Sequence, residues 1–199
     1  MANESWTILI SAGIALIAGL FSGLFGRRLE EWWLQPRLAV EFLQEEGGFL
    51  TEGRWKEDGT EVSEIYVRAR VRNIGRGRIA KQCRPYLVKL EEVHPSGTTQ
   101  TSYHDSLVLP WPLKDYAPRD IPPGVNQFFD VVGVLRHRQD WRFGFRERFT
   151  GHERLPQYRG TYRFTVMVTG DGVKSDGRRI DVTYDGTPSN LRAVDAGPA

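Results

Sequence analysis

Cysteine is almost absent from this 199-residue sequence: Cys83 is the only one, so no disulfide can form within the chain. A secreted domain of this size often carries paired cysteines, and their lack favours a reducing compartment. Catalytic and metal-binding spacings are lacking as well, because there is no HExxH motif, no nucleophile elbow and no glycine-rich phosphate loop followed by a helix. These absences predict a protein that is not an enzyme and that uses no metal or cofactor.

Isolated candidate groups do not change that prediction. His104 and Asp105 bring a base and an acid together without a nucleophile, and the four histidines are scattered as surface polar residues would be. Asp171, Asp176 and Asp181 lack the ligand order of a calcium loop, so a glycine-rich hairpin turn is the simpler interpretation. The lone cysteine is expected to be a small core residue.

Long apolar runs are also scarce, with one exception at residues 6–25. These twenty residues carry no charge, and a helix of that length covers roughly 30 Å, the hydrocarbon thickness of a bilayer. A cleaved signal peptide would need a basic start and a small-x-small cleavage site, and a core helix would show a polar face; the segment has none of these. The sequence therefore predicts a short tail at 1–5 and a transmembrane helix at 6–26.

Basic residues flank that segment on one side only. None precedes it, whereas Arg27, Arg28 and Arg37 follow it closely. Basic residues near a span stay on the cytoplasmic side. We therefore expect a bacterial inner-membrane protein with its N-terminus outside and its remaining chain in the cytoplasm.

Small residues form a stripe along the apolar segment. Ser11, Ala15, Gly19 and Gly23 recur every four residues, and the last two make a GxxxG motif. Such a stripe lets two helix backbones approach closely, although small residues are common in membrane spans in general. Self-association through this stripe is one expectation.

The membrane helix is expected to continue through residues 27–35, which contain good helix formers and end before a proline. Trp32 and Trp33 could rest at the lipid headgroups beside Arg27 and Arg28, where amphipathic rings and cations are both favourable. They could equally pack against the following domain. The sequence leaves both interpretations open.

Residues 36–186 show a period-2 alternation of apolar and polar side chains, with turn signals between the runs and no convincing second helix. The predicted strands are 38–42, 65–72, 83–93, 98–103, 128–135, 141–146, 160–169 and 178–184. This rhythm predicts an all-β sandwich or barrel of about eight strands. Residues 187–199 are rich in Pro, Gly and Ala and are expected to be a disordered tail.

Three segments of this domain carry recognisable strand motifs. Residues 66–90 hold an Asn-x-Gly turn between two strands, residues 121–134 a Pro-Gly strand entry, and residues 160–172 a Gly-x-Tyr strand before a hairpin. Together they resemble immunoglobulin-like β-sandwich modules of the bacterial cell-adhesion-related and fibronectin-like kind. The resemblance implies an immunoglobulin-like sandwich with Tyr162 in the tyrosine-corner role, and it implies no particular activity.

Arginine outnumbers lysine by 22 to 5, although the net charge is only +2. It is dense on one predicted strand and in the insertion at 136–159, which, like a second insertion at 105–120, departs from the immunoglobulin-like pattern. The candidate anion-binding residues are Arg68, Arg70, Arg72, Arg136, Arg138, Arg142, Arg146 and Arg148. Guanidinium groups and aromatics suit a nucleotide or an anionic lipid headgroup. A GC-rich genome and a solvated strand face would give the same arginines without a ligand.

Two functions from different classes are consistent with these features. The first is a single-pass, membrane-anchored cytoplasmic β-sandwich that acts as a non-catalytic interaction module, binding a protein partner or a second copy of itself. The alternative is a ligand-gated membrane effector that senses a nucleotide and whose anchors cluster on activation; its architecture looks like that of some antiphage effectors, by analogy alone. DNA is not an expected partner.

Overall fold

The computed structural model describes residues 23, 26, 33–43, 49–57, 60–135, 141–142 and 159–199. The chain divides into two compact units, Met1–Gln35 and Pro36–Ala199. Within the described residues, no helix is long and apolar enough to cross a membrane. Most of the predicted span at 6–26 lies outside the described residues, and so do Ser11, Ala15, Gly19, Arg27, Arg28 and Trp32. Gly23 and Trp33 are described, and both are exposed.

Twelve strands occur in the described part of the second unit. They are β1 Arg37–Glu41, β2 Leu50–Glu57, β3 Thr60–Asn73, β4 Ala80–Val93, β5 Thr99–Val108, β6 Arg119–Ile121, β7 Asn126–Leu135, β8 Trp141–Arg142, β9 Gly160–Asp171, β10 Lys174–Asp176, β11 Arg178–Tyr184 and β12 Arg192–Pro198. One sheet runs β10-β1-β3-β7-β8 with β2 beside β3, and the other runs β12-β11-β9-β4-β5 with β6 beside β4. The predicted all-β class is confirmed, and the domain has the two sheets of a β-sandwich.

Two long strands organise these sheets. Strands β3 and β4 have 14 residues each, and each is long enough to pair with two shorter strands along one edge. The edge of β3 takes β2 along its first half and β1 along its second, while β4 takes β6 near its start and β5 beyond it. Strands β2, β6, β10 and β12 were not predicted from the sequence, which accounts for twelve strands in place of about eight.

The core lies between the inner faces of the sheets, where the alternation of the sequence places it. Val67, Ala69 and Val71 of β3 are fully buried, and so are Phe164 and Val166 of β9. Side chains of a strand point alternately to opposite faces, so the intervening polar residues face outward. Both sheets contribute to one continuous cluster of buried apolar residues.

The insertion at 105–120 is partly a core element. Trp111 is fully buried and meets Phe129 edge to face, with ring centroids 6.3 Å apart. Its indole N–H donates to the carbonyl of Ala117 at 2.9 Å, so the ring is buried with its polar atom satisfied. This segment therefore closes one side of the sandwich instead of standing away from it as a surface loop.

The prediction of a disordered tail is wrong for the last strand. Strand β12 pairs antiparallel with β11, and Leu191 and Ala193 are buried. The final residue also donates its backbone N–H to the carbonyl of Gly177 at 3.0 Å. The edge of β11 supplies hydrogen-bond partners for the backbone of the tail. Leu191 and Ala193 are two positions apart, so they lie on the same side of the tail and hold that side against the core.

Candidate functional site

The arginines of β3 share the outer face of the first sheet, as predicted. Because Val67, Ala69 and Val71 fill the core, Arg68, Arg70 and Arg72 point the other way. A row of three guanidinium groups would suit an anion if their charges were available. Each of them contacts a carboxylate of this same domain, however.

Arg68 is paired with Asp130 of β7. The guanidinium Nε lies 2.6 Å from Oδ1, and the Asp130 side chain is only 5% exposed. Burial raises the pKa of Asp130, although the hydrogen bond and charge of Arg68 act to lower it. A register shift after Val67 leaves one extra residue, Val131, on β7. That bulge places Asp130 outward while Val132, two residues later, faces the core.

Arg70 is paired with Glu41 of β1. Its Nε and Nη2 lie 3.0 and 2.7 Å from the same carboxylate oxygen, which cross-strand pairing of these two residues brings within reach. Arg72 approaches the other oxygen of Glu41 at 3.6 Å and keeps 45% of its side chain exposed. The guanidinium of Arg70 also lies over the ring of Phe49, 5.9 Å from its centroid.

The same face continues with a buried carboxylate on β3. Glu64 is 2% exposed, and the hydroxyl of Tyr66 donates to it at 2.7 Å. Burial raises the pKa of Tyr66 above its ordinary range, and the hydrogen bond to Glu64 adds to the effect. Glu64 lies against Gly133 of β7 so closely that a Cβ there would collide with its carboxylate.

The outer face of the first sheet is therefore a network of opposite charges. The pairing of Arg68 and Arg70 counts against a nucleotide site at these two residues, since an incoming phosphate would have to displace a partly buried carboxylate. Arg142 belongs to β8, while Arg136, Arg138, Arg146 and Arg148 lie outside the described residues.

The outer face of the second sheet is balanced in the same way. Arg163 donates two hydrogen bonds to Asp181, at 2.7 and 2.8 Å, across the β9–β11 pair. Glu91 accepts from Lys89 at 2.9 Å and from Thr99 at 3.0 Å. Burial alone would raise the pKa of Glu91, yet these hydrogen bonds hold it below the ordinary value. Bidentate and cross-strand pairs of this kind stabilise a sheet.

Catalytic groups do not converge in the described part of the chain. Within it, no group of three or more His, Cys, Asp or Glu side chains could hold a metal ion. His104 lies on β5 opposite Lys89, and the Asp105 carboxylate accepts the backbone N–H of Ser106. Cys83 is buried at the start of β4, where desolvation raises the pKa of its thiol to about 11. A thiol in that state is a poor nucleophile.

One end of the domain differs from these balanced faces. The loop of residues 74–79 joins β3 to β4 and exposes two isoleucines, Ile74 (43%) and Ile79 (46%). Between them stand Arg76 and Arg78, also exposed. The turn of residues 122–125 lies beside this loop, because Gly124 donates its N–H to the carbonyl of Asn73 at 2.9 Å. We call residues 74–79 and 122–125 together the loop end.

Asn73 holds the loop end in shape. Its side chain is buried, and its amide donates to the carbonyls of Arg78 and Ile121 at 2.9 and 3.0 Å. Its oxygen accepts the backbone N–H of Gly75 at 3.0 Å. The sequence predicts a turn between two strands at Asn73-Ile74-Gly75, but it does not predict that Asn73 supports an exposed apolar and basic loop. The signal for this loop in the sequence was the order Ile-Gly-Arg-Gly-Arg-Ile at residues 74–79. Two isoleucines on either side of a short basic turn are too close to the turn to reach the core.

No family model, curated protein or solved structure matches this chain. Evidence on function therefore comes from the distribution of charge and exposed apolar surface described above. The paired faces and the loop end are the two features that distinguish its surface.

Proposed function

We propose that this protein is a membrane-anchored, non-catalytic interaction module. Residues 6–26 form its anchor in a bacterial inner membrane, and the domain that follows is an immunoglobulin-like sandwich held in the cytoplasm. The predicted partner is a protein or a second copy of the chain, and self-association runs through Ser11, Ala15, Gly19 and Gly23.

One observation carries the non-catalytic part of this proposal. On each outer face, arginines form ion pairs with carboxylates of the same face, as Arg70 does with Glu41 and Arg163 with Asp181. Acid, base and nucleophile do not meet among the described residues, whereas a catalytic site needs such groups within hydrogen-bond reach. Exposed apolar and cationic side chains at the loop end are instead what a contact surface requires.

The fold-level proposal has support in the strand pairing. The motifs that resemble immunoglobulin-like modules fall on β3 and β4, on the entry to β7 and on β9. Strand β1 pairs antiparallel with β3 and parallel with β10, so the first strand joins two elements that are distant in sequence. Tyr162 is buried on the inner face of β9.

Cysteine labelling tests the location of the domain. Ser96 is exposed in the turn between β4 and β5, so Ser96→Cys places a reactive thiol at the surface. A membrane-impermeant maleimide should label this variant only after spheroplasts are lysed, and the chain should stay in the pellet after alkaline carbonate extraction. The unchanged protein is the matched control, because its one thiol, Cys83, is buried and should not react.

Two results would contradict the proposal. Labelling of intact spheroplasts would place the domain outside the cell, and release by carbonate would remove the anchor. A separate result would refute self-association: an unchanged signal in a membrane two-hybrid assay when Gly19 and Gly23 are both replaced by Ile.

A further inference from the structure

The loop end combines exposed apolar and basic side chains in one place. Ile74, Ile79 and Val125 are 43%, 46% and 38% exposed. Strand pairing brings them together, since Asn73 bridges to Pro123 and Ala80 pairs with Ile121. Other apolar side chains of the domain are also exposed, among them Leu50 (40%), Leu113 (97%) and Val194 (42%), but each of these belongs to a different element, whereas Ile74, Ile79 and Val125 lie together.

Basic charge is in excess around these apolar residues. Arg76, Arg78 and Lys81 are exposed, and neither Arg78 nor Lys81 forms an ion pair with a described residue. Two carboxylates lie nearby, on Asp120 and Asp171. Asp120 is occupied in part, because it accepts the backbone N–H of Gln82 at 2.9 Å. The contrast with the paired outer faces is clear: at the loop end, two exposed cations, Arg78 and Lys81, form no ion pair with a described residue.

The loop end is also where the chain enters the domain. Ile74 donates its backbone N–H to the carbonyl of Arg37, the first residue of β1, at 2.8 Å. The uncharged apolar run ends at Phe25, so only residues 26–36 separate it from this point. Eleven residues reach at most about 40 Å when fully extended. A tether of this length allows the loop end to reach the bilayer in which the apolar run is proposed to lie.

We propose that the loop end docks on the anionic lipid headgroups of the membrane that holds the anchor; this rests on the proposed anchor. Ile74, Ile79 and Val125 enter the boundary between headgroups and acyl chains, where apolar side chains are favourable. Arg76, Arg78 and Lys81 meet lipid phosphates. The buried amide of Asn73 holds the loop in this shape before contact, which lowers the entropy lost on docking.

Hydrogen–deuterium exchange on the full-length protein tests the docking. The protein is reconstituted in nanodiscs of phosphatidylcholine alone and in discs that also contain about one-third phosphatidylglycerol, enough to give a negative surface. We expect the amides of residues 74–79 to exchange more slowly in the anionic discs, while exchange at the β4–β5 turn, residues 94–98, stays the same.

Paired variants separate docking from general charge effects. Arg78→Glu changes the charge by two units and should weaken docking about 30-fold, at about fivefold per unit of charge near an anionic surface. Arg192→Glu makes the same charge change at the start of β12, away from the loop end, and should leave the protection intact. Ile79→Ser should also remove protection, whereas Val194→Ser, at a residue of similar exposure (42%), should not.

Three outcomes would overturn the proposal: equal exchange at residues 74–79 in both kinds of disc, protection that survives Arg78→Glu, or protection that appears in native membranes but not in discs of pure lipid. The last would assign the loop end to a membrane protein instead. Flotation with vesicles reports the anchor separately. A chain that floats with neutral vesicles, but whose residues 74–79 are not protected in anionic discs, has kept the anchor and lost the docking. A chain that floats with neither neutral nor anionic vesicles has lost the anchor.

Discussion

Arg68→Met is the sharpest test of the charge network on the first sheet. The change keeps the length and apolar stem of the side chain but removes the cation from Asp130, whose carboxylate is 5% exposed and 2.6 Å from the guanidinium. Removing one partner of a buried pair costs about 3–5 kcal/mol, because the other charge stays buried without compensation. Arg68 itself is 19% exposed, so we take the lower end, about 3 kcal/mol.

Thermal unfolding followed by circular dichroism measures this loss. For a domain of this size each kcal/mol shifts Tm by about 2–4 °C, so Arg68→Met should lower Tm by about 6–12 °C. Adding Asp130→Asn should recover at least half of the loss, since the neutral amide no longer needs a cation. The double-mutant cycle isolates the coupling between the two side chains.

The pH dependence gives an independent check. Because burial raises the pKa of Asp130, the folded protein holds its proton to a higher pH than the unfolded chain does. This group's contribution to stability is therefore present below the unfolded pKa and is lost as pH rises through the folded pKa. Without Arg68 the pKa of Asp130 rises further, so its contribution to stability should be lost at a higher pH than in the unchanged protein.

A Tm change below about 2 °C in Arg68→Met, or no recovery of Tm when Asp130→Asn is added, would refute the reasoning.

Three further outcomes are expected. Gly133→Ala should lower the free energy of unfolding by about 1–3 kcal/mol in a urea titration, because its Cβ would meet the Glu64 carboxylate. Ending the chain at residue 190 should lower Tm and promote aggregation in light scattering, since β11 would become an exposed sheet edge. Replacing Gly19 and Gly23 by Ile should abolish the dimer signal in a membrane two-hybrid assay.

Each of these has a control within the same chain. Val134→Ala, next to Gly133, measures an ordinary loss of core volume for comparison. Removing only residue 199 keeps β12 and should change Tm little. A drop in Tm equal to that of the chain ending at residue 190 would contradict the argument that loss of β12 exposes the edge of β11. In the proposed anchor helix, Phe21 lies about 160° from both Gly19 and Gly23, so Phe21→Ala should leave the dimer signal unchanged.

Pairing between strands that are distant in sequence decides whether the arginines of β3 are free to bind an anion. Arg70 and Glu41 are 29 positions apart, and Arg68 and Asp130 are 62 apart. Periodicity could place the arginines on one outward face, and it did so correctly. It could not show that carboxylates from β1 and β7 lie on the same face, because that depends on strand order and on the bulge at Val131.

The β9–β11 hairpin and the C-terminal tail also differ in how much of their structure the local sequence predicts. The β9–β11 hairpin was predictable, because glycines and aspartates separate two alternating runs. The path between these strands was not, since β10 leaves to pair in parallel with β1 in the other sheet. The tail was misjudged for a similar reason: its composition suggests disorder, and only the open edge of β11 gives it a partner.

Local patterning alone was enough for the all-β class, for most strands and for the side of each strand that enters the core, because side-chain alternation is a property of neighbouring residues. Contacts between distant residues were needed for the rest. They neutralise Arg68 and Arg70, draw Trp111 and β12 into the sandwich, and leave Ile74 and Ile79 exposed among cations. The physical reason is that ion pairing and burial depend on which strands become neighbours, and that is decided only when the sheets assemble.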